Sequence, residues 1–336
     1  MNTFQSFSDN LFISFIYIIY SILIIKYAIL LSQKLKIIDY PKEKRKIHKK
    51  PTPLIGFFYF LTSFFLFLIF NFINEDISIR LILSITFALF FNSLIGLIDD
   101  KSSISPSSRL ISIIFIFLIS VSLSEKFTIN TFESFFFEKI IILNSSFNII
   151  FTILCYLLLT NSLNLSDGIN GLAISISTIW LILISFYSES FITKMNLFLL
   201  FNLLVLFYFN MKSKIFLGSG GVNFLATYIC FITVYTFNTS EVLYYEFIFL
   251  FFMIPGIDMM RVFLLRILKG KNPFSSDKNH FHHYLLKKFN TNQVLIIYCS
   301  LVLFPSLIFL KFNNLVLYMI TFKLITYFYL IKKFSN

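Results

Sequence analysis

LFISFIYIIYSILIIKYAILL, Leu11–Leu31, is a run of 21 residues interrupted by a single charge, Lys26. About 20 apolar residues in a helix cross the hydrocarbon core of a bilayer, so this stretch is long enough to span one. It lacks the basic start and small-residue cleavage site of a signal peptide and is expected to stay as an anchor. Directly behind it, segment 33–53 carries Lys34, Lys36, Lys42, Lys44, Arg45, Lys46, Lys49 and Lys50. Apolar runs divided by short polar segments then continue to the end of the chain.

The composition agrees with that reading. The 336 residues are 57% hydrophobic and 13% charged, with a mean hydropathy of +0.84, whereas soluble domains are roughly a quarter charged. Soluble domains are excluded, and the expected fold is an all-α polytopic membrane protein forming one integral membrane domain over 1–336. Runs near 11–31, 54–73, 80–98, 108–124, 146–161, 171–188, 195–210, 222–238, 245–264, 293–310 and 314–331 predict eleven transmembrane helices. Glu125, Lys126, Glu133, Glu138 and Lys139 break up 125–145, which is expected to be an external hairpin lying on the membrane. The net charge of +12 points to membrane topology rather than nucleic acid, because Lys and Arg collect in cytoplasmic loops. With eleven spans, 33–53 and 261–292 share a side with Lys101, Arg109, Lys212, Lys214, Lys332 and Lys333. The other side holds only Arg80, Lys126, Lys139, Lys194 and Lys311. The N-terminus is thus expected outside, the C-terminus in the cytoplasm, with cytoplasmic loops near 33–53, 99–107, 161–170, 211–221 and 265–292. Cys155, Cys230 and Cys299 lie in apolar runs with neither a metal-site nor a disulfide spacing. Neither an internal repeat nor a pair of matching broken helices, as found in many transporters, is evident.

Four polar clusters stand at helix ends on the expected cytoplasmic side. Asp99-Asp100-Lys101 sets adjacent carboxylates at a helix mouth, where they raise each other's pKa and attract a proton or a divalent cation; hard oxygen ligands with room for phosphate suit magnesium. A solvated helix end is the plainer account. Asn161-Ser-Leu-Asn164-Leu-Ser-Asp167-Gly168-Ile-Asn170-Gly171 offers amides and a carboxylate for a base, a sugar or a metal, although Asn, Asp and Gly also form ordinary turns. Phe216-Leu217-Gly218-Ser219-Gly220-Gly221 would present backbone N–H groups to an anion, or would simply turn between helices. The fourth runs from Pro255-Gly-Ile-Asp258 through Arg261 and Arg266 to Asp277-Lys-Asn-His280-Phe-His282-His283. Three of the chain's four histidines fall there within four residues, beside acids and cations that suit a diphosphate with its metal.

In this order the clusters resemble the polyprenyl-phosphate N-acetylhexosamine-1-phosphate transferases (glycosyltransferase family 4). The matching stretches are Arg45-Lys-Ile-His48-x-x-Pro51-x-Pro53, Asp99-Asp100, Asn164-x-x-Asp167-Gly168-x-x-Gly171-Leu172, Phe216-Leu217-Gly218 and Asp277-x-x-His280-x-His282-His283-x-Leu285. The likeness covers about residues 10–331. It leans to the branch that initiates O-antigen, lipopolysaccharide and teichoic-acid synthesis rather than to its relative, the phospho-muramoyl-pentapeptide transferase. The resemblance implies ten or eleven helices in the inner (plasma) membrane and a cytoplasmic site. It also implies transfer of a sugar-1-phosphate, of N-acetylhexosamine type, from a UDP-sugar to polyprenyl (undecaprenyl) phosphate, with release of UMP and with Mg2+, or Mn2+ in its stead. The implied partners are those two substrates and the lipid bilayer, without nucleic acid; a homodimer is left open. Carried over by motif, Asp99, Asp100 and Asp167 are the catalytic residues, Asn164 and Asp100 hold the metal, and Lys46, His48, Arg109, Asn170, Gly218, His280, His282 and His283 bind substrate.

The chain departs from the family pattern in places. Asn170 replaces a common second acid, Gly56-Phe57 stands for paired glycines, and Ile113 for a usual Gln. The third motif is normally Phe-x-Gly-Asp-x-Gly-Ser/Ala, its Asp a magnesium ligand; here those positions are Ser219 and Val222. The alternative that this raises is a catalytically weakened relative that binds lipid phosphate or a partner enzyme.

Overall fold

A computed structural model describes residues 19–41, 50–71, 78–137, 140–273 and 277–335. Helix α1 occupies 19–34. It is followed by α2 (Gly56–Asn71), α3 (Ile79–Ser102), α4 (Pro106–Leu123), α5 (Ser145–Ser166), α6 (Leu172–Ser185), α7 (Ser190–Met211), α8 (Gly218–Thr239), α9 (Tyr245–Leu268), a short α10 (Phe281–Leu286), α11 (Thr291–Lys311) and α12 (Val316–Ser335). Eight of the described helices are long and apolar enough to cross a membrane, and α2 and α6 are shorter apolar helices. The chain is an all-α polytopic membrane protein, and each of the eleven expected runs holds a helix. The expected hairpin is present: β3 (Thr131–Glu133) pairs antiparallel with β4 (Ile140–Ile142), Phe132 opposite Ile141. Ser134 Oγ donates to the buried Glu246 carboxylate at 2.6 Å, tying the hairpin to the start of α9.

Helix α5 extends further than expected, through Ser166, so Asn161 and Asn164 stand on its last turns rather than in a loop. The Asn161 amide and the Ser166 hydroxyl bond carbonyls one turn back, at 2.7 and 2.8 Å, and so satisfy themselves without leaving the helix.

Helix α8 is the axis of the bundle: every residue from Gly220 to Phe237 is buried. A surface helix has one apolar stripe; this one is enclosed by α2, α3, α5 and α6. Its polar residues are paired within the bundle, as an apolar medium requires. Asn223 Nδ2 donates to the Asn92 carbonyl at 3.1 Å, Thr227 shares a 2.6 Å bond with Tyr156, and Tyr228 donates to Asn196 at 2.9 Å. Close approach is allowed by small residues. A Cβ at Gly96 would run into the backbone of Ser219 and Gly220, and one at Gly56 into Gly221. In α9, Pro255 deprives the Phe251 carbonyl of its helical donor, and the indole of the buried Trp180 supplies one at 3.0 Å.

The N-terminal segment is drawn onto the start of α8. Strand β1 (Ile38–Asp39) pairs with β2 (Thr52–Pro53). Beyond it, the N–H groups of Ile55 and Gly56 donate to the carbonyls of Phe216 and Leu217, each at 3.0 Å. Residues around 39 and 54 are thereby set beside the Gly218 turn. Because α3 and α8 touch backbone to backbone at Gly96, Gly96→Leu is expected to cost about 1–3 kcal/mol through overpacking. Nothing lies within 4 Å of the Cβ position at Gly256, so Gly256→Ala is expected to leave stability unchanged. Thermal unfolding of the detergent-extracted variants checks both; equal melting temperatures would remove Gly96 from the packing account.

Candidate active site

One cavity of about 680 Å3 opens where the helix ends meet. Its walls include Asp39, Leu54, Asp100, Asn164, Asp167, Asn170, Gly218 and Ser219, and also Arg266, Lys278, His280 and His283. Segments far apart in the chain are thus gathered on one space, acids and amides together with cations and imidazoles.

The position of Asp100 follows from the start of α8. The first N–H groups of a helix have no partner within it, and here Ser219 N and Gly220 N donate to the Asp100 carboxylate at 2.8 and 3.2 Å. The Ser219 hydroxyl bonds the same group. The glycine-rich turn therefore holds an anion, but that anion is a side chain of α3. Gly218 has φ +69°, and a Cβ there would come within 2.5 Å of Asp100 Oδ2, so only glycine fits.

Asp167 caps α5 and lines the cavity. Burial, followed by the charges of Asp100 and Asp39, pushes its carboxyl up to about 8. Asn170 Nδ2 donates to Ser213 Oγ at 2.8 Å. Asn210 Oδ1 accepts from Gly171 N at 2.6 Å, and its Nδ2 donates to the Ile215 carbonyl at 3.1 Å. The 167–171 turn is thus fastened to the turn after α7.

The opposite wall is built around Arg266 and the histidine segment. Arg266 donates from Nε to Asp277 at 2.9 Å and from Nη1 to the Pro273 carbonyl at 2.7 Å. Against the upward push of burial, Arg266 and the Asn279 N–H draw Asp277 down to about 2, so it is ionised at neutral pH. His280 is fixed between Asp258 and Arg266, with Nδ1 at 3.1 Å from Asp258 Oδ2 and Nε2 at 3.5 Å from Arg266 Nη2. Burial, with the charges of His280 and Lys278, lowers His283 to about 4.

The residues expected from sequence are not all brought together. Asp100, Asn164, Asp167, Asn170, Gly218, His280 and His283 line the cavity. Asp99 and Arg109 do not: Asp99 accepts from Ile104 N at 2.8 Å and faces Arg109 Nη1 at 3.5 Å. His282 is buried beneath the wall, its Nε2 against Gly168 where a Cβ would stand and without a hydrogen-bond partner. Burial, then the charge of His283, lowers it to about 3. Lys46 and His48 lie outside the described residues. Asp39 and Arg266 were not among the expected site residues. Arg266 stood in the fourth cluster, whereas Asp39 had only its place beside the basic segment to mark it.

The model of glycosyl transferase family 4 matches residues 82–237, which carry Asp100, Asn164, Asp167 and Gly218 of this cavity. Over that segment the chain is similar to that family. An undecaprenyl-phosphate alpha-N-acetylglucosaminyl 1-phosphate transferase of Thermotoga maritima is 28% identical over 68% of this chain and 70% of its own length. A probable undecaprenyl-phosphate N-acetylglucosaminyl 1-phosphate transferase of Bacillus subtilis is 27% identical over 75% and 70%. A phospho-N-acetylmuramoyl-pentapeptide-transferase of Staphylococcus saprophyticus is 26% identical over 77% and 84%. The similarity to the first two covers more of the chain than the segment matched by the family model.

Asp167 also sets a pH dependence. Its folded pKa of about 8 stands above the ordinary 3.8. Below about pH 4 both states hold the proton; as pH rises toward 8 the unfolded chain releases it first, so stability falls across that window. In magnesium-free detergent, the melting temperature is expected to drop more between pH 5 and pH 8 for wild type than for Asp167→Asn. Equal drops would show that Asp167 titrates as a free carboxyl.

Proposed function

We propose that this protein transfers a sugar-1-phosphate, of N-acetylhexosamine type, from a UDP-sugar to undecaprenyl phosphate. An oxygen of the lipid phosphate attacks the sugar-bearing phosphorus, the bond from that phosphorus to the oxygen bridging it to the uridylyl phosphate breaks, and UMP leaves with that oxygen. The observation that carries this reading is the single cavity in which Asp100, Asn164 and Asp167 face Arg266, Lys278, His280 and His283. Phosphoryl transfer asks mainly for positioning and for neutralised charge, and such a set supplies both. A second, apolar cavity of about 410 Å3 between α5, α8 and α9 reaches Ser162, two residues before Asn164 on α5. It offers a prenyl chain a path to the polar site. The relatives named as undecaprenyl-phosphate transferases support the acceptor.

The donor set suits magnesium. Among the described residues no three His, Cys, Asp or Glu side chains form a metal-binding group, so an ion would rest on Asp100, Asp167 and the Asn164 amide oxygen, completed by water and substrate oxygens. Burial first, and then the charges of Asp100 and Asp39, hold a proton on Asp167 toward pH 8; a divalent cation there would favour the ionised carboxylate. Bound there, the ion would neutralise the diphosphate. Arg266 and Lys278 would take phosphate oxygens from the other side, and His280 and His283 would complete that wall. Described residues of the two basic segments, Asp39 of 33–53 and Arg266, Lys278, His280 and His283 of 261–292, line the site, which supports a cytoplasmic face of the plasma membrane. The alternative of a relative that binds without turnover rests on Ser219, whose hydroxyl takes the place of a ligand carboxylate.

Incubating the purified protein with magnesium, undecaprenyl phosphate and a panel of UDP-sugars is expected to release UMP. Asp100→Asn should reduce the rate at least about a hundredfold, the scale of losing a group that acts on transition-state charge; an unchanged rate would leave Asp100 as a helix cap alone. Ser219→Asp should lower the magnesium concentration needed for half-maximal rate. No turnover in either Ser219→Asp or wild type, with lipid phosphate still bound, would favour the binding relative.

A further inference from the structure

The last helix, α12, lies outside the stretch matched by the family model, and two of its buried side chains clasp neighbouring helices. Lys323 Nζ donates to the Leu250 carbonyl of α9 at 2.8 Å, and to the Val302 carbonyl and Ser306 hydroxyl of α11 at 2.9 and 3.2 Å. One turn on, and so on the same face, the Tyr327 hydroxyl donates to Asp258 Oδ1 at 2.7 Å and accepts from Arg261 Nε at 2.7 Å. Arg261 Nη2 itself donates to Asp258 Oδ1 at 2.8 Å. Asp258, Arg261 and Tyr327 thus close a ring of hydrogen bonds in which each member holds the other two.

What this ring presents to the cavity is His280. The Phe281 N–H donates to both Asp258 oxygens at 3.1 Å, which fixes the backbone beside the imidazole, and the ring itself meets Asp258 Oδ2 through Nδ1 at 3.1 Å. Its Nε2 faces the Arg266 guanidinium. A guanidinium can only donate and an ionised carboxylate can only accept. The arrangement is satisfied by one tautomer, with the proton on Nδ1 and a bare Nε2 at the cavity wall. An imidazole free to turn would offer either nitrogen.

We propose that Asp258 and Tyr327 are positioning residues for the transfer reaction, holding His280 in its Nδ1–H tautomer with Nε2 turned to Arg266 at the cavity wall. Tyr327 acts through Asp258, and Asp258 through His280; neither touches the reacting atoms. The inference rests on the transferase reading for its kinetic consequence but not for its tautomer. In the same way a buried carboxylate elsewhere sets the orientation of an imidazole that works at a reacting centre.

Two measurements test it. The 15N spectrum of histidine-labelled wild-type protein, assigned with single-histidine variants, should show His280 with a protonated Nδ1 and an unprotonated Nε2; a protonated Nε2 with a bare Nδ1 overturns the proposal, whatever the enzyme's activity. In the UMP-release assay, Tyr327→Phe should lower kcat about tenfold with KM for the UDP-sugar unchanged, and Asp258→Asn should lower it further. The same Tyr327→Phe change made in a His280→Ala background should alter kcat less than twofold, because residues acting through one another do not add. An equal tenfold loss in both backgrounds would make Tyr327 a general support of the fold and overturn the positioning role, as would an unchanged kcat in the single variant. Absence of turnover in wild type would count against the transferase reading and leave the tautomer to the spectrum.

Discussion

The first N–H groups of α8 have no partners within the helix, and those of Ser219 and Gly220 stand beside the cavity, packed against the last turn of α3. Asp100 answers them, and a carboxylate is the favoured partner because the positive end of the helix dipole lies there. Much else depends on this contact. The left-handed Gly218 turn gives the carboxylate room, the 55–56 segment laid on 216–217 fixes that turn, and the close packing at Gly96 brings α3 near enough for its last turn to reach. A charge held so firmly then acts on its surroundings. Burial first, and then this charge with that of Asp39, keep Asp167 protonated toward neutral pH, so the acidic wall holds a proton rather than a full set of negative charges.

The opposite wall reverses that balance. On and behind it, Arg261, Arg266 and Lys278 outnumber Asp258 and Asp277, and both of these acids are committed to arginines or to His280. A molecule carrying two linked phosphates meets cations on one side and, on the other, oxygens that need a cation of their own. Little covalent chemistry is asked of the protein in a phosphoryl transfer; the task is to hold charges still. The helix ends do this well: Asp100 is bonded to backbone N–H groups of α8, and Arg266 to Asp277 and the Pro273 carbonyl. The clasp between α12 and α9 extends the same solution to a helix that contributes no residue to the cavity wall.

Several features were legible without coordinates because they depend on local composition. Runs of about 20 apolar residues can only be membrane helices or core, and the charged interruptions of 125–145 could not be carried across a bilayer, so eleven helices and the hairpin follow. The clustering of polar residues at helix ends was equally plain, since polar groups are costly elsewhere in such a chain. What local composition could not tell was direction. Asp99 and Asp100 are adjacent and chemically alike, yet successive helical residues point about 100° apart, so one faces the cavity and the other pairs with Arg109. The histidines divide in the same way: His280 and His283 line the site, while His282 turns under it against Gly168. Asp258 stood in a visible cluster, but its tie to Tyr327, 69 residues away, had no trace in the spacing.

The sequence by itself determined that this protein is a bundle of membrane helices, which residue types would gather at their ends, and which family the motifs resemble. Each of these rests on hydropathy, on charge, or on residues close together along the chain. Only the tertiary structure decided which acids share a space, that the glycine-rich turn holds Asp100, and that the C-terminal helix reaches Asp258 behind His280. Those outcomes depend on the rotation of each helix about its own axis and on its approach to the others, set by small residues such as Gly96 and by hydrogen bonds closed across distant segments.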